Sequence, residues 1–176
     1  MSEPSAGYRI RRARPEDEAG VARLCQRSGQ LGWDREALRK TASRVSLVAT
    51  QDDTVIGVAK THWHAEPDRA APAGHYLGGI VIDPRWRRHG VGRALTAARL
   101  AWIAPRADVV YYFTNENNTA SIKLHESFGF QLLFAAGSLH SVSADDGRSK
   151  LLLFALHRLA NSVSPLTLDD KDRLNS

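Results

Sequence analysis

The spacing of apolar and polar residues along the chain predicts strands and helices that alternate. Short apolar runs rich in β-branched residues indicate strands, and apolar residues that recur every three or four positions indicate helices. Strands are predicted at 8–13, 46–50, 54–63, 76–82, 109–113, 130–135 and 150–157. Helices are predicted to begin at Pro15, after Asp34, after Gly90 and at Asn118. This order indicates the α+β (mixed α/β) class, with helices covering a central sheet.

The stretch from Ile80 to Leu95 combines three features that together indicate an anion site. An apolar run ends at Asp83-Pro84, a glycine-containing turn follows, and a helical pattern begins near Gly90. The first N–H groups of a helix have no acceptor within it, and the helix dipole adds partial positive charge there. The basic side chains around the turn are Arg85, Arg87, Arg88, His89 and Arg93. The stretch therefore predicts a site for a pyrophosphate group.

Two well-known nucleotide-binding motifs do not match this turn. A Walker A loop needs Gly-Lys followed by Ser or Thr, which the chain lacks here. A dinucleotide-binding fingerprint needs a third small residue where Leu95 stands, and it follows its strand almost directly. The turn instead has the spacing Arg87-x-x-Gly90-x-Gly92, after a strand that ends at Pro84.

A second polar pattern lies between Asn118 and Phe130. On a helix, Asn118, Ser121 and His125 share one stripe, because three and four positions separate them. The neighbouring stripe is apolar and is expected to face the core: Ala120, Leu124 and Phe128. Gly129 then provides a helix C-terminal signal.

Together the two segments resemble the GCN5-related N-acetyltransferase (GNAT) family. The first matches the family pattern Arg/Gln-x-x-Gly-x-Gly/Ala, and the second matches Asn-x-x-Ala/Ser-Ile-x-Leu-Tyr-Glu-x-x-Gly-Phe. The residues of the second segment that match directly are Asn118, Ser121, Ile122, Leu124, Glu126, Gly129 and Phe130. The resemblance extends in element order from about Tyr8 to His157. It implies a mixed, mostly antiparallel sheet of about seven strands, four flanking helices, and splayed fourth and fifth strands.

The resemblance also implies acetyl-CoA as cosubstrate, without a metal. The pantetheine arm would lie between the splayed strands and pair with the backbone of Ile80, Val81 and Ile82. The pyrophosphate would be held by the turn residues Arg87, Arg88, His89, Gly90, Val91, Gly92 and Arg93. The opposite wall would be formed by Asn118, Ser121 and His125. The alternatives are plain strand packing, helix capping by Asn118, and solvated arginines, above all Arg85 and Arg99.

The implied reaction is direct transfer of an acetyl group to a primary amine in a ternary complex. The amine must be neutral to attack, so a base must accept its proton. A backbone N–H near Gly78-Gly79 could stabilise the oxyanion. The family's usual acid is a tyrosine at the position where His125 stands. His125 is therefore predicted to act as the acid or to contact the thiol. The alternatives are a purely structural role for His125, and Tyr111 or Tyr112 as the acid. The base is left open among His62, His64, Glu66, His75 and His140.

Composition indicates the class of protein, its partners and its cellular location. Of the 176 residues, 43% are hydrophobic and 24% charged, as in ordinary globular domains. The net charge of +5 raises the question of a nucleic-acid partner, but no recognition-helix pattern or aromatic-interleaved basic stripe is present. The single Cys25 and the lack of a signal region or membrane-length apolar run predict a cytoplasmic chain with no membrane partner. One domain is predicted at 1–160, followed by a polar tail at 161–176 whose order or disorder is left open.

Two further questions stay open on sequence grounds. The replaced tyrosine and the absence of a glutamate in the fourth strand leave an acyl-CoA sensor without turnover as the alternative function. The amine acceptor, which could be a small molecule or a protein, and a possible homodimer are also undecided.

Overall fold

The computed structural model describes residues 7–157. Its strands are β1 (Arg9–Arg12), β2 (Ser46–Gln51), β3 (Thr54–His64), β4 (Gly74–Ile82), β5 (Val109–Asn115), β6 (Gln131–Ala136), β7 (Ser138–Leu139), β8 (Val142–Ser143) and β9 (Leu151–His157). Its helices are α1 (Glu18–Arg27), α2 (Arg35–Leu38), α3 (Val91–Ile103) and α4 (Thr119–Glu126). Seven strands form one sheet in the order β1-β2-β3-β4-β5-β9-β6, and β7 and β8 form a separate hairpin.

The sheet is mixed and mostly antiparallel. The pairs β1–β2, β2–β3, β5–β9 and β6–β9 are antiparallel. Strands β4 and β5 are parallel, and their ladder runs only from the pair His75–Val110 to the pair Leu77–Tyr112. Strand β4 nevertheless continues to Ile82 and β5 to Asn115. The predicted fold class is therefore confirmed, including a fourth and a fifth strand that pair only at their beginnings.

The described chain divides into two compact units. The first contains the residues up to 60 together with 79–99, and the second contains 61–78 together with the residues from 100 onward. In the first unit the apolar core includes Leu24, Leu38 and Val48. In the second it includes Tyr76 and Leu153. A single domain over 1–160 stays a prediction, and the tail predicted at 161–176 lies outside the described residues.

Local signals account for the early helices. Pro15 opens a short 3-10 turn that leads into α1, whose buried face contains Val21, Leu24 and Cys25, as their spacing predicts. The Asp34 carboxylate accepts a hydrogen bond from the Ala37 backbone N–H at 2.8 Å and so caps α2. These contacts fix the chain direction between β1 and β2.

Two features of the fold differ from the sequence-based expectation. The apolar stripe predicted for α4 is only partly buried, because Ala120 is exposed and Leu124 is half-buried, whereas His125 is only 1% exposed. Phe128 lies beyond the end of α4, so it does not extend the stripe. The β7–β8 hairpin was not predicted, because strands of two residues are too short to show an alternation of apolar and polar residues.

Candidate functional site

The turn after β4 begins at a buried, fully hydrogen-bonded carboxylate. Asp83 is 0% exposed. Its Oδ1 accepts from the backbone N–H of Arg85 at 3.0 Å and from Arg85 Nε at 3.1 Å. Its Oδ2 accepts from Arg27 Nε at 2.9 Å and from Arg85 Nη2 at 3.0 Å. These hydrogen bonds, first those of Arg85 and then that of Arg27, outweigh burial and lower the pKa of Asp83 to about 2.

The next residues adopt backbone conformations that shape the turn. Arg88 and Gly90 lie in the left-handed region, with φ of 63° and 79°. A Cβ atom at position 90 would lie 3.3 Å from the Tyr8 hydroxyl, so both conformation and space favour glycine there. The Trp86 ring stands edge-on to the Tyr8 ring at 6.2 Å between centroids. The turn is therefore held by the packing of Trp86 on Tyr8, which directly precedes β1, and by the hydrogen bonds of Asp83.

Helix α3 begins directly at this turn. Its first internal hydrogen bond runs from the Ala94 N–H to the Gly90 carbonyl at 2.9 Å. The N–H groups of Val91 to Arg93 precede that bond and form the N-terminal end of the helix, where partial positive charge accumulates. His89 Nδ1 donates to the Arg87 carbonyl at 2.8 Å, so this ring folds back onto its own turn. The predicted turn residues thus lie together at one helix N-terminus, with these basic side chains exposed: Arg87, Arg88, His89 and Arg93.

The end of β4 offers fewer backbone groups than the sequence suggested. Val81 is buried in the core, while Ile80 and Ile82 are half-buried. The Ile82 carbonyl accepts a hydrogen bond from the Ser28 hydroxyl at 3.3 Å. One of the carbonyls predicted for cofactor pairing therefore already has a donor within the protein.

Sequence reasoning missed an aromatic residue beside β4. A Cβ atom at Gly79 would lie 3.0 Å from Cζ2 of Trp33, so the indole packs directly on the glycine backbone. Lys60 Nζ lies 4.6 Å from the Trp33 ring centroid. Burial, and then the positive charge of Arg44, lower the pKa of Lys60. Glycine within a strand was the one signal in the sequence for such a close approach.

The alternative of a solvated arginine does not hold for Arg99. Its side chain is 0% exposed. Its guanidinium donates to the Lys60 carbonyl at 3.2 Å and to Thr96 Oγ1 at 3.0 Å. Arg85 is largely exposed, yet its guanidinium is paired with Asp83. Neither side chain is simply solvated.

In the second unit, Tyr112, Ser121 and His125 form one connected group. The Tyr112 and His125 rings are stacked at 3.7 Å with an angle of 10° between their planes. The Tyr112 and Ser121 hydroxyls are hydrogen-bonded at 2.8 Å. His125 Nδ1 lies 2.8 Å from the Ser121 carbonyl oxygen. Because a carbonyl can only accept, Nδ1 carries the proton, and a neutral ring keeps its lone pair on Nε2.

Asn118 lies at the start of the same helix and contacts Ser121. Ser121 and His125 lie together as expected, but Asn118 is the residue that caps α4, accepting from the Ser121 backbone N–H at 3.2 Å. The capping alternative is therefore observed. Tyr111, the neighbour of Tyr112, packs instead against Tyr76 at 5.1 Å.

The five candidates for the base are divided among different surroundings. His64 and His140 are stacked at 3.7 Å and 10°. His62 lies two residues before His64 in β3, and its ring is 6.1 Å from that of His64. His75 is buried beside two tryptophans, Trp63 at 4.6 Å and Trp102 at 5.8 Å. Glu66 is exposed in the loop after β3.

Residues 7–157 contain neither a metal-binding cluster of side chains nor a membrane-spanning helix. Over residues 7–157, no three side chains of His, Cys, Asp or Glu are grouped so that they could hold a metal ion. None of the helices in that range has the length and apolar character needed to cross a membrane.

Comparison with known proteins identifies the family. The model of the acetyltransferase (GNAT) family matches residues 10–130. The chain belongs to the GNAT family. A mycothiol acetyltransferase of Thermobispora bispora is 33% identical to this GNAT protein over 139 residues, which are 70% of the chain and 46% of the relative. An aminoglycoside N(6')-acetyltransferase type 1 of Stenotrophomonas maltophilia is 32% identical over 106 residues, 53% of the chain and 65% of the relative.

The chain therefore spans less than half the length of that mycothiol acetyltransferase.

Solved structures support the fold across nearly the whole chain. The ribosomal-protein-S18-alanine N-acetyltransferase of Escherichia coli has a TM-score of 0.67 at 22% identity, covering 92% of this chain and 98% of that one. The protein yncA of Salmonella typhimurium, solved with its cofactor acetyl-CoA, has a TM-score of 0.65 at 22% identity, covering 92% and 99%.

Proposed function

We propose that this GNAT protein transfers an acetyl group from acetyl-CoA to a primary amine. The observation that carries the proposal is the turn between β4 and α3. Asp83 fixes its start, and left-handed residues at 88 and 90 direct it into a helix N-terminus that is surrounded by exposed basic side chains. An anion is favoured at such a place by both the backbone N–H groups and the dipole. Family membership makes the diphosphate of acetyl-CoA the matching anion.

The proposal assigns the cofactor contacts residue by residue. The pyrophosphate is held by backbone N–H groups of the turn and first helical turn, together with the basic side chains there: Arg87, Arg88, His89, Gly90, Val91, Gly92 and Arg93. The pantetheine amides pair with backbone groups of Ile80 and Val81, since the Ile82 carbonyl already accepts from Ser28. Ser121 and His125 are assigned to the thiol end, and Asn118 keeps its capping role beside them.

The acetyl-CoA thioester supplies the acyl group, and the chain must manage two protons. The amine loses one proton before its nitrogen attacks the thioester carbonyl. The N–C bond forms, the C–S bond breaks, and the departing sulfur takes up a proton. His125 can donate that proton through Nε2 only when the ring is doubly protonated, because Nδ1–H is engaged with the Ser121 carbonyl. In its neutral form the same nitrogen accepts a hydrogen bond from the thiol.

The names of the curated relatives favour a small-molecule amine as acceptor. One relative is named for mycothiol and another for aminoglycosides. We infer an amine of similar size for this chain, in preference to a protein amine. A cytoplasmic location, the absence of a nucleic-acid partner and a possible homodimer stay predictions.

Calorimetry with acetyl-CoA tests the cofactor assignment. Replacing Arg88 by Glu reverses one charge beside the proposed pyrophosphate, and charge-assisted contacts of this kind contribute about 1.5 to 3 kcal/mol. We expect Arg88→Glu to weaken binding about 10- to 100-fold. Arg148→Glu, on an exposed loop of the second unit, makes the same change in net charge and should bind almost as wild type. Equal losses in both variants, or no binding heat in the wild type, would contradict the assignment.

Turnover separates an enzyme from an acyl-CoA sensor. The protein would be incubated with acetyl-CoA and, in separate reactions, kanamycin, spermidine or a peptide with a free N-terminal alanine. Release of free thiol and an acetylated product, seen by mass spectrometry, is expected for at least one amine. A sensor would bind acetyl-CoA and leave it unconsumed with every amine.

A further inference from the structure

The tip of the β7–β8 hairpin holds His140 in a costly backbone conformation. His140 and Ser141 both lie in the left-handed region, with φ of 47° and 65°. Two-residue hairpin turns of this shape normally carry Asn-Gly or Asp-Gly, because other residues meet steric resistance there. Such outliers persist only where surrounding contacts hold them, and they concentrate at functional sites. The contacts that hold His140 are therefore informative.

The surroundings of His140 fix which ring nitrogen carries the proton. His140 Nε2 lies 3.2 Å from the Pro72 carbonyl oxygen and 3.1 Å from the Tyr76 hydroxyl oxygen. The Tyr76 hydroxyl donates its only proton to the same Pro72 carbonyl at 2.6 Å. Both oxygens near Nε2 are therefore acceptors, so Nε2 is the N–H donor. The neutral ring consequently has its lone pair on Nδ1.

A second histidine lies flat against this ring. His64, at the end of β3, stacks on His140 at 3.7 Å and also packs edge-on to Tyr76 at 5.0 Å. Burial lowers the pKa of His64, and positive charge on His140 lowers it further. Both effects favour the neutral form of His64. Within residues 7–157, the ring of His62 on β3 lies 6.1 Å from that of His64, and Tyr111 on β5 packs against Tyr76 at 5.1 Å.

The pair lies next to the point where the β4–β5 ladder ends. Tyr76 is the ladder partner of Tyr111, one position before the last pair, Leu77–Tyr112. The hairpin that carries His140 also forms one wall of an open cleft of about 480 Å³, which it lines with Ser138, Leu139 and Ser143. The loop at Asp68 to Ala70 and the end of β6 also line this cleft. A small amine has room to approach this edge of the second unit.

We propose that His140 is the general base of the reaction, with Nδ1 as the accepting atom and with Tyr76 and His64 as positioning residues. The inference rests on the proposed acetyl transfer and names the residue that deprotonates the acceptor. An ammonium group on the acceptor gives one proton to His140 Nδ1, which becomes an imidazolium between Pro72 and His64. The neutral amine then forms the N–C bond, the thioester C–S bond breaks, and the second amine proton ends on the sulfur. His140 returns its proton to water.

Nuclear magnetic resonance of the free protein tests the proton chemistry. Histidines labelled with ¹⁵N report tautomer and protonation state separately for each ring. We expect neutral His140 to be the Nε2–H tautomer, and His64 to stay neutral to a lower pH than an ordinary histidine, because its pKa is lowered. Tyr76→Phe removes one of the two acceptors and should keep the Nε2–H tautomer, because the Pro72 carbonyl still accepts from Nε2. A neutral His140 with its proton on Nδ1, or two protons taken up together by the pair, would overturn the proposal.

The pH dependence of kcat/KM tests the role in catalysis. His140→Asn keeps a residue that tolerates the left-handed turn and a side-chain donor, but removes the base. Loss of a general base lowers rates about 10²- to 10⁴-fold, so we expect at least a 100-fold fall near neutral pH. The difference in kcat/KM between wild type and His140→Asn should narrow at high pH, where more of the amine is already neutral. In the variant, the bend on the acidic side of the plot of kcat/KM against pH should disappear. His157→Asn, at the exposed end of β9, should keep the wild-type profile.

Two failures can be told apart with the same proteins. If the wild type consumes no acetyl-CoA with kanamycin, spermidine or the alanine peptide, the proposed function fails and the base assignment fails with it. If the wild type turns over but folded His140→Asn keeps the acidic bend and its rate, only the base assignment fails. A rate loss without any change in the shape of the pH profile would assign His140 a structural role and also overturn the proposal.

Discussion

Asp83→Asn should destabilise the protein in a way that depends on pH. The substitution keeps the size of the side chain but removes a negative charge that is 0% exposed. It also replaces one accepting oxygen by an NH₂ group, which would face N–H donors of Arg85 or Arg27. The turn that leads into α3 would lose the anchor at its start.

The size of the effect follows from the pKa of this carboxyl. A difference of one pH unit between the folded and unfolded pKa corresponds to about 1.4 kcal/mol. A fall from 3.8 to about 2 therefore corresponds to about 2.5 kcal/mol. Water screens part of this interaction, because the side chain of Arg85 is 70% exposed. We expect Asp83→Asn to lower the free energy of unfolding by about 1.5 to 2.5 kcal/mol at neutral pH.

The sign of the pH dependence is fixed by the direction of the shift. Because the folded pKa lies below the unfolded value, the stabilisation is fully present above about pH 4 and is lost as the pH falls through about 2. The difference between wild type and Asp83→Asn should therefore be constant from pH 7 to about pH 5. It should shrink steadily between about pH 4 and pH 2, where the wild-type carboxyl is protonated in the unfolded chain but still largely ionised in the folded protein.

Urea unfolding at a series of pH values, followed by circular dichroism, measures this difference. The matched control is Asp146→Asn, because Asp146 also has a pKa lowered to about 2, by hydrogen bonds from Ser149 and Arg148, but is fully exposed. The control should change stability less than Asp83→Asn. The reasoning would be refuted if the difference in free energy of unfolding between wild type and Asp83→Asn stayed constant down to pH 2, or if it were absent at pH 7.

Two further predictions concern α4 and its end. His125→Ala should lower kcat about 100-fold with little change in acetyl-CoA affinity by calorimetry; an unchanged kcat would leave His125 only its stacking on Tyr112. Gly129→Ala should reduce the free energy of unfolding by about 1 to 2 kcal/mol, because Gly129 has φ of 94° and its Cβ would lie 3.4 Å from Leu156. Gly137→Ala, with open space around position 137, should be nearly neutral in the same urea experiment; equal effects would contradict this explanation.

Much of the fold and the basic turn after β4 could be predicted because the relevant signals are local. A strand that ends at Asp83-Pro84, glycine at position 90 and a helical pattern after it lie within a few residues of one another. The same is true of the caps at Asp34 and Asn118. Hydrogen bonds within one turn depend on residue type and spacing, which the sequence displays directly.

The sequence by itself therefore determined the order of the elements, the family resemblance and the place of the basic turn. Only the tertiary structure decided that Arg99 is buried, that His125 faces inward, and that His140 lies on His64. His140 and its partner Tyr76 are 64 positions apart, and nothing in their local spacing indicates that they meet. Such contacts depend on strand order and on a hairpin tip in the left-handed region, and these arise only when the whole sheet has formed.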